Sequence, residues 1–303
     1  MLLNIGFAWL VGSWFSRRWM RSSGVGANDI EPALRKFDLA AAGLSAVGSA
    51  SALLAATAVM GGVGLREACP MFWTMVSATD YGRAGCVTIL AMVALFLVRL
   101  VGGKGRGTNA AVAAGMAVFA VTRASMGHAG ENGFWTITLA AEAMHFSAIG
   151  VWTGAVMVSG WVVLSDSRVS MFPVHFTDRY LELMSQAAMF AVVAIIGTGI
   201  YSAWHRVGTT EHLLNTAYGL TLLAKVGLVL AAIALGGYNK FVGLPAASRS
   251  PRGLGLVRAL LQVETFLLLG ALLAAVALTS QQPPRDVVMP QVFPGGVNSF
   301  FLR

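Results

Sequence analysis

Charge is what this sequence has least of. Only 11% of its 303 residues are Asp, Glu, Lys or Arg, against about 25% in an ordinary soluble domain. With 56% hydrophobic residues and a mean hydropathy of +0.71, that shortage excludes both a soluble globular enzyme and a disordered chain. Two cysteines are too few for a disulfide scaffold. The formal net charge is +8, but no run of five Lys or Arg occurs. The basic residues therefore read as topology signals between membrane spans, not as a nucleic-acid surface. The 35 glycines show no period of three, which excludes collagen. The dyad alternation of a transmembrane β-barrel is absent, and so is any nucleotide-binding motif.

What the chain has is apolar blocks of about 20 residues. Eight spans fall at 2–16, 38–64, 84–101, 109–127, 135–164, 183–204, 218–239 and 256–279. The predicted fold class is all-α, a polytopic membrane bundle of about eight transmembrane helices. The first span is marginal in length. Arg17, Arg18 and Arg21 follow it instead of preceding it, so it reads as a membrane helix and not a signal peptide. The first, third, fifth and seventh loops carry 14 Lys and Arg, the even loops and the C-terminal tail 6. The odd loops are expected to be cytoplasmic and both termini periplasmic. Trp73, Trp135, Trp161 and Trp204 lie near span ends, as interfacial anchors do. Residues 1–280 read as a single transmembrane domain and 281–303, rich in Pro and Gly, as a periplasmic tail. Gly150 with Gly154, and Ala42 with Ala46 and Ala50, supply small residues for helix packing.

Ionisable side chains in hydrocarbon cost several kcal/mol, so each one there is a candidate for function. Glu142 and His145 share a helix face in the fifth span through Glu-x-x-His spacing. Counting back about 20 residues from Leu164 places the outer boundary near Met144, with 134–141 as a helical extension above the lipid. His128, flanked by Met126, closes the fourth span at the same boundary. Glu142 either ligates a metal with His145 or orients its imidazole. The alternative is a satisfied polar pair between helices. Thioether and imidazole together suit copper. Cys69, Met71 and Cys86 form a possible soft cluster on the outer side, readable as capture of a thiophilic cation, as a disulfide or as packing. Lys225 and Glu264 lie on neighbouring spans, either as a buried ion pair or as part of a proton or cation relay.

At this point the residues resemble the CopD family of copper-resistance membrane proteins. The matching pieces are Tyr81-Gly82-Arg83, Gly127-His128-Ala129, Met144-His145, Trp152-Thr153-Gly154, Thr198-Gly199-Ile200-Tyr201, Tyr218-Gly219, Lys225, Tyr238-Asn239-Lys240 and Glu264. They cover most of the chain and are strongest from 120 to 280. The resemblance implies eight spans in the bacterial inner membrane. It also implies movement of copper from the periplasm toward the cytoplasm, beside a periplasmic CopC-type copper-binding protein. Carried over, the metal positions are His128 and His145, and Glu142 stands where the family commonly has an acidic residue. The chain departs from the pattern in its short first span, which lacks a histidine, and in Ala155, which replaces a glycine.

The leading expectation is a copper-transport protein, not an enzyme. Its copper, Cu(I) or Cu(II), would be captured by His128, Met126 and His145 with Glu142 in support. It would then be passed along Lys225, Asn239, Glu264 and Trp152. Two alternatives stay open: a b-type haem protein of electron transfer or oxidation, and an assembly partner that delivers copper without transporting it.

Overall fold

A computed structural model describes residues 1–23, 30–103, 105–127, 133, 136–165, 174–206 and 216–281. Among these residues there are helices and no strands. We number the helices α1 (Leu2–Ser22), α2 (Glu31–Gly61), α3 (Leu65–Ala78), α4 (Asp80–Val101), α5 (Arg106–Ser125), α6 (Ile137–Val158), α7 (Val174–Arg206), α8 (Ala217–Tyr238), α9 (Leu244–Ala247) and α10 (Pro251–Thr279). A π-helical turn continues α6 over Ser159–Val163, and another continues α8 over Asn239–Gly243.

Six stretches among the described residues are long and apolar enough to cross a membrane: Glu31–Gly61, Asp80–Val101, Ile137–Val163, Asp178–Ser202, Ala217–Ala247 and Pro251–Thr279. With α1 and α5 they make up the expected set of about eight. The large apolar side chains left outside, Trp73, Phe190, Trp204, Phe241 and Phe266 among them, belong to a protein whose solvent is lipid. Ends are called outer and inner below in the sense that the basic-residue asymmetry gives.

Helix α1 scores low in hydropathy because it faces protein. Phe7, Ala8, Leu10, Val11, Trp19 and Met20 are all buried, packed against α2 and α6. Ser13, Ser16 and Arg17 are buried as well. The helix also runs through the basic cluster that was expected to end it, because Arg17 turns inward onto acidic partners. The α1–α6 crossing is where glycine is required. A Cβ on Gly154 would strike the Ala8 carbonyl oxygen and the Gly12 amide, and one on Gly12 would strike Gly154. The Gly150/Gly154 pair is thus a close-packing seam. Gly154→Leu is expected to lower stability by more than about 2 kcal/mol, read as an earlier unfolding midpoint in detergent. Gly197→Leu, at a site with no neighbour within 4 Å of an added Cβ, serves as the comparison and leaves the midpoint in place.

Two hydrophobic cores result. One joins α1, α2, α4 and α5 around Leu10, Met92, Leu95 and Phe119. The other joins α6, α7, α8 and α10, with the inner end of α1, around Trp152, Val163, Tyr180 and Leu261.

One helix lies where a loop was expected. Residues 65–78, read as loop, form α3. Glu67 accepts from the Gly64 amide at 3.3 Å and caps its start. A hydropathy scan passes over it because 14 residues span only about 21 Å as a helix. Trp73 on it is 73% exposed. Residues 282–303, the expected tail, lie outside the described residues.

Candidate functional site

The polar groups of α6 lie on one stripe. His145, Trp152 and Ser159 are seven residues apart, so two helical turns, about 10.5 Å, separate each from the next. All three face inward. His145 Nδ1 is 2.8 Å from Thr198 Oγ1 on α7, and that hydroxyl donates to the Ala194 carbonyl at 2.5 Å. The imidazole and that hydroxyl hold one another, which fixes the orientation of the His145 ring. Trp152 Nε1 donates to Glu264 Oε1 at 2.7 Å. Ser159 Oγ lies 2.8 Å from the Tyr180 hydroxyl, which lies 3.0 Å from Ser16 Oγ on α1.

A cavity of roughly 50 Å³ opens beside the first of these groups, lined among others by His145, Ile149, Trp152, Lys225 and Leu268. It has room for a few water molecules. Trp152 forms one wall, and Glu264 lies beyond the indole. Glu264 is 2% exposed and meets its hydrogen-bonding need through Trp152. The expected Lys225–Glu264 ion pair does not form, because the indole takes that place. One turn inward from Gly236, whose added Cβ would lie 3.2 Å from Glu264 Oε1, comes Asn239 at the start of the second π turn. It is 3% exposed, and its Oδ1 has no hydrogen-bond partner. π-helical turns are rare and concentrate at functional sites.

Of the expected capture residues, His128 lies outside the described residues. Met126 follows the end of α5, with Thr88 Oγ1 at 3.9 Å from its Sδ. The outer ends of α5 and α6 meet where Ala124 packs on Leu139 and Ala143. Phe146 extends that α5-facing side by stacking on Phe7 and meeting Phe119 in a tilted pair at 6.0 Å. His145 points instead to α7 and the cavity. Half-buried Glu142, one turn outward, lies angularly between the two sides. Among the described residues no group of three His, Cys, Asp or Glu stands close enough to hold a metal.

The soft outer residues are dispersed. Cys69 is exposed and bonds its own helix at Leu65, Met71 packs over Gly61, and Cys86 is half-buried on α4. Both cysteines are free thiols.

The largest feature that the sequence did not expose is a buried ion cluster at the inner ends of α1, α2 and α4. Asp38 is fully buried. It accepts from Trp9 Nε1 at 3.1 Å and from Arg17 Nη1 at 2.8 Å, and Arg99 Nε lies 3.0 Å away. Arg17 also donates to Ser13 and holds Glu31 at 2.9 Å. Arg35 donates to the Arg99 and Leu100 carbonyls that end α4. The signal lay in Trp9, Ser13 and Arg17, one helical turn apart on a single face, opposite an acid that had been read as a span boundary.

A multi-pass helical bundle with a half-buried imidazole beside a small cavity, and buried polar side chains beyond it, is the architecture of a polytopic membrane protein. Comparison with known proteins narrows the class. The model "Copper resistance protein D-like, N-terminal domain" matches residues 1–137, and the model "Copper resistance protein D" matches 174–278. The chain belongs to the CopD family, a family of copper-related proteins, and is a multi-pass protein of the bacterial inner membrane. It is 26% identical over 220 residues to Copper resistance protein D of Pseudomonas syringae pv. tomato, covering 66% of each chain. It is 24% identical over 166 residues to Copper transport protein CutJ of Bacillus subtilis (strain 168), covering 55% of this chain and 29% of that one. The chain therefore spans somewhat less than two thirds of the first relative and under a third of the second. No solved structure matches it.

Proposed function

We propose that this protein binds copper at the outer side of the inner membrane and passes it toward the cytoplasm, as a transport protein and not an enzyme. The observation that carries the reading is His145, a half-buried imidazole fixed by Thr198 on the wall of an interior cavity. An imidazole nitrogen is a donor that a soft cation takes. Met126 and Glu142 lie at the meeting of the outer ends of α5 and α6, and His128 follows in sequence. These residues are proposed to hand copper to His145 after delivery by a periplasmic CopC-type protein. Inward, Trp152 with Glu264, then Asn239 and the Ser159–Tyr180–Ser16 chain, supply oxygen and indole groups where bare hydrocarbon would refuse a charge. In this orientation both termini are periplasmic.

The test is metal analysis of the purified chain together with copper uptake into proteoliposomes. The double substitution His128→Ala, His145→Ala is expected to lower copper bound per chain and to reduce uptake by about tenfold or more. Undiminished copper stoichiometry and uptake in the double variant would dispose of the site.

A further inference from the structure

The hairpin of α4 and α5 carries charge of one sign. Between Asp80 and Glu131 the sequence holds no Asp or Glu, while Arg99 and Arg106 lie near the inner turn. Arg99 is turned inward onto Asp38. Arg106 opens α5 as an exposed residue, in a first turn that has no acidic side chain. Arg35 reaches the same place from α2. Its guanidinium donates to the Arg99 and Leu100 carbonyls, and an added Cβ on Gly102 would stand 3.1–3.3 Å from it. Those acceptors are neutral, so the charge of Arg35 is oriented but not cancelled.

Beside these two arginines a groove of roughly 400 Å³ runs between the inner ends of α4 and α5. Leu97, Val98, Val101 and Ala111 wall it, and Gly103 and Gly107 lie at its inner end. Leu97 and Val101 are exposed, and a Cβ on Gly107 would meet nothing within 4 Å. From Leu97 to Val101 is about one helical turn, or 6 Å. The groove thus sits where hydrocarbon gives way to headgroups, on the side that the basic residues mark as cytoplasmic.

An apolar slot with cations at its polar mouth matches a molecule that is apolar at one end and anionic at the other. We propose that the groove seats one anionic phospholipid of the cytoplasmic leaflet. The first carbons of an acyl chain lie between α4 and α5, and the phosphate meets Arg106 and Arg35. A zwitterionic lipid brings its own cation to the arginines and gains less from them. Inorganic phosphate leaves the apolar walls uncovered. The seat shares no residue with the cavity at His145, so it stands without the copper reading.

The experiment is native mass spectrometry of the full-length protein in detergent, titrated with phosphatidylglycerol or with phosphatidylcholine of the same chains. The natural chain is expected to retain one phosphatidylglycerol about tenfold more tightly than phosphatidylcholine. Arg106→Gln is expected to weaken phosphatidylglycerol by about fivefold, and Arg35→Gln added to it by a similar factor. Arg106→Lys, which keeps the charge, should stay within about twofold of the natural chain. Ala111→Trp fills the groove from an exposed position and should release the lipid with both arginines intact. Should the Arg35 variant aggregate, the two Arg106 variants and Ala111→Trp decide the matter alone. Equal retention of the two lipids overturns the proposal, as does an unchanged affinity in Arg106→Gln or in Ala111→Trp. Displacement of the lipid by inorganic phosphate at millimolar concentration also overturns it, because the site would then be one for phosphate alone.

Discussion

Replacing Asp38 with Leu is expected to destabilise the protein by about 3–5 kcal/mol, the largest loss from any single substitution in the N-terminal half. Asp38 takes hydrogen bonds from Trp9 and Arg17 and an ion pair from Arg99, so it ties α1 to α2 and α4. Arg17 is 3% exposed and Arg99 7%, and neither can reach water if the carboxylate is lost. The penalty is that of two buried guanidinium groups deprived of their shared counter-charge, which exceeds the net worth of the intact cluster. The measurement is the unfolding midpoint in mild detergent. Asp38→Asn keeps an acceptor for Trp9 but not the charge, and should fall between. In a double-mutant cycle, Arg99→Met should cost less in the Asp38→Leu background than in the natural chain. An Asp38→Leu protein that melts with the natural one would show the cluster to be energetically idle.

Glu264→Gln is expected to cut copper uptake into proteoliposomes by about tenfold or more while copper bound at the outer residues is retained. The amide has nearly the shape of the acid and can still accept from Trp152, so the packing around Trp152 and Gly236 is kept. Lost is the one carboxylate that lies buried on the wall beyond the cavity. On the proposed path a cation moving inward from His145 leaves a nitrogen ligand and next needs a negative charge or a ring of oxygens. Glu264, with Asn239 a turn further on, is where the fold provides it. Trp152→Phe should mimic part of the defect by removing the donor that holds the carboxylate in place. Normal uptake by Glu264→Gln would show that the ion does not pass this way.

The helices of the second half were legible because hydropathy and burial agree there. The seventh and eighth spans were read within a few residues of α8 and α10, since their outer faces meet lipid and stay apolar along their whole length. Gly150 and Gly154 were legible as a packing pair, though not as a seam with α1. What stayed hidden depends on contacts between distant segments. Nothing local marks Asp38 as buried, and its partners lie 21 and 61 residues away at Arg17 and Arg99. Lys225 and Glu264 were singled out as costly in lipid, but which group satisfies Glu264 was decided by Trp152, 112 residues distant in sequence. Thr198 stood in a quoted motif without a role until the fold placed it against His145.

The burial of α1 bears on what keeps it in the membrane. Arg17 is met by Glu31 and Asp38 on α2, and Ser16 by Tyr180 on α7. A segment this weakly apolar gains little from lipid, so protein contacts hold it, and loosening either set of partners is expected to release α1 before any of the lipid-facing helices.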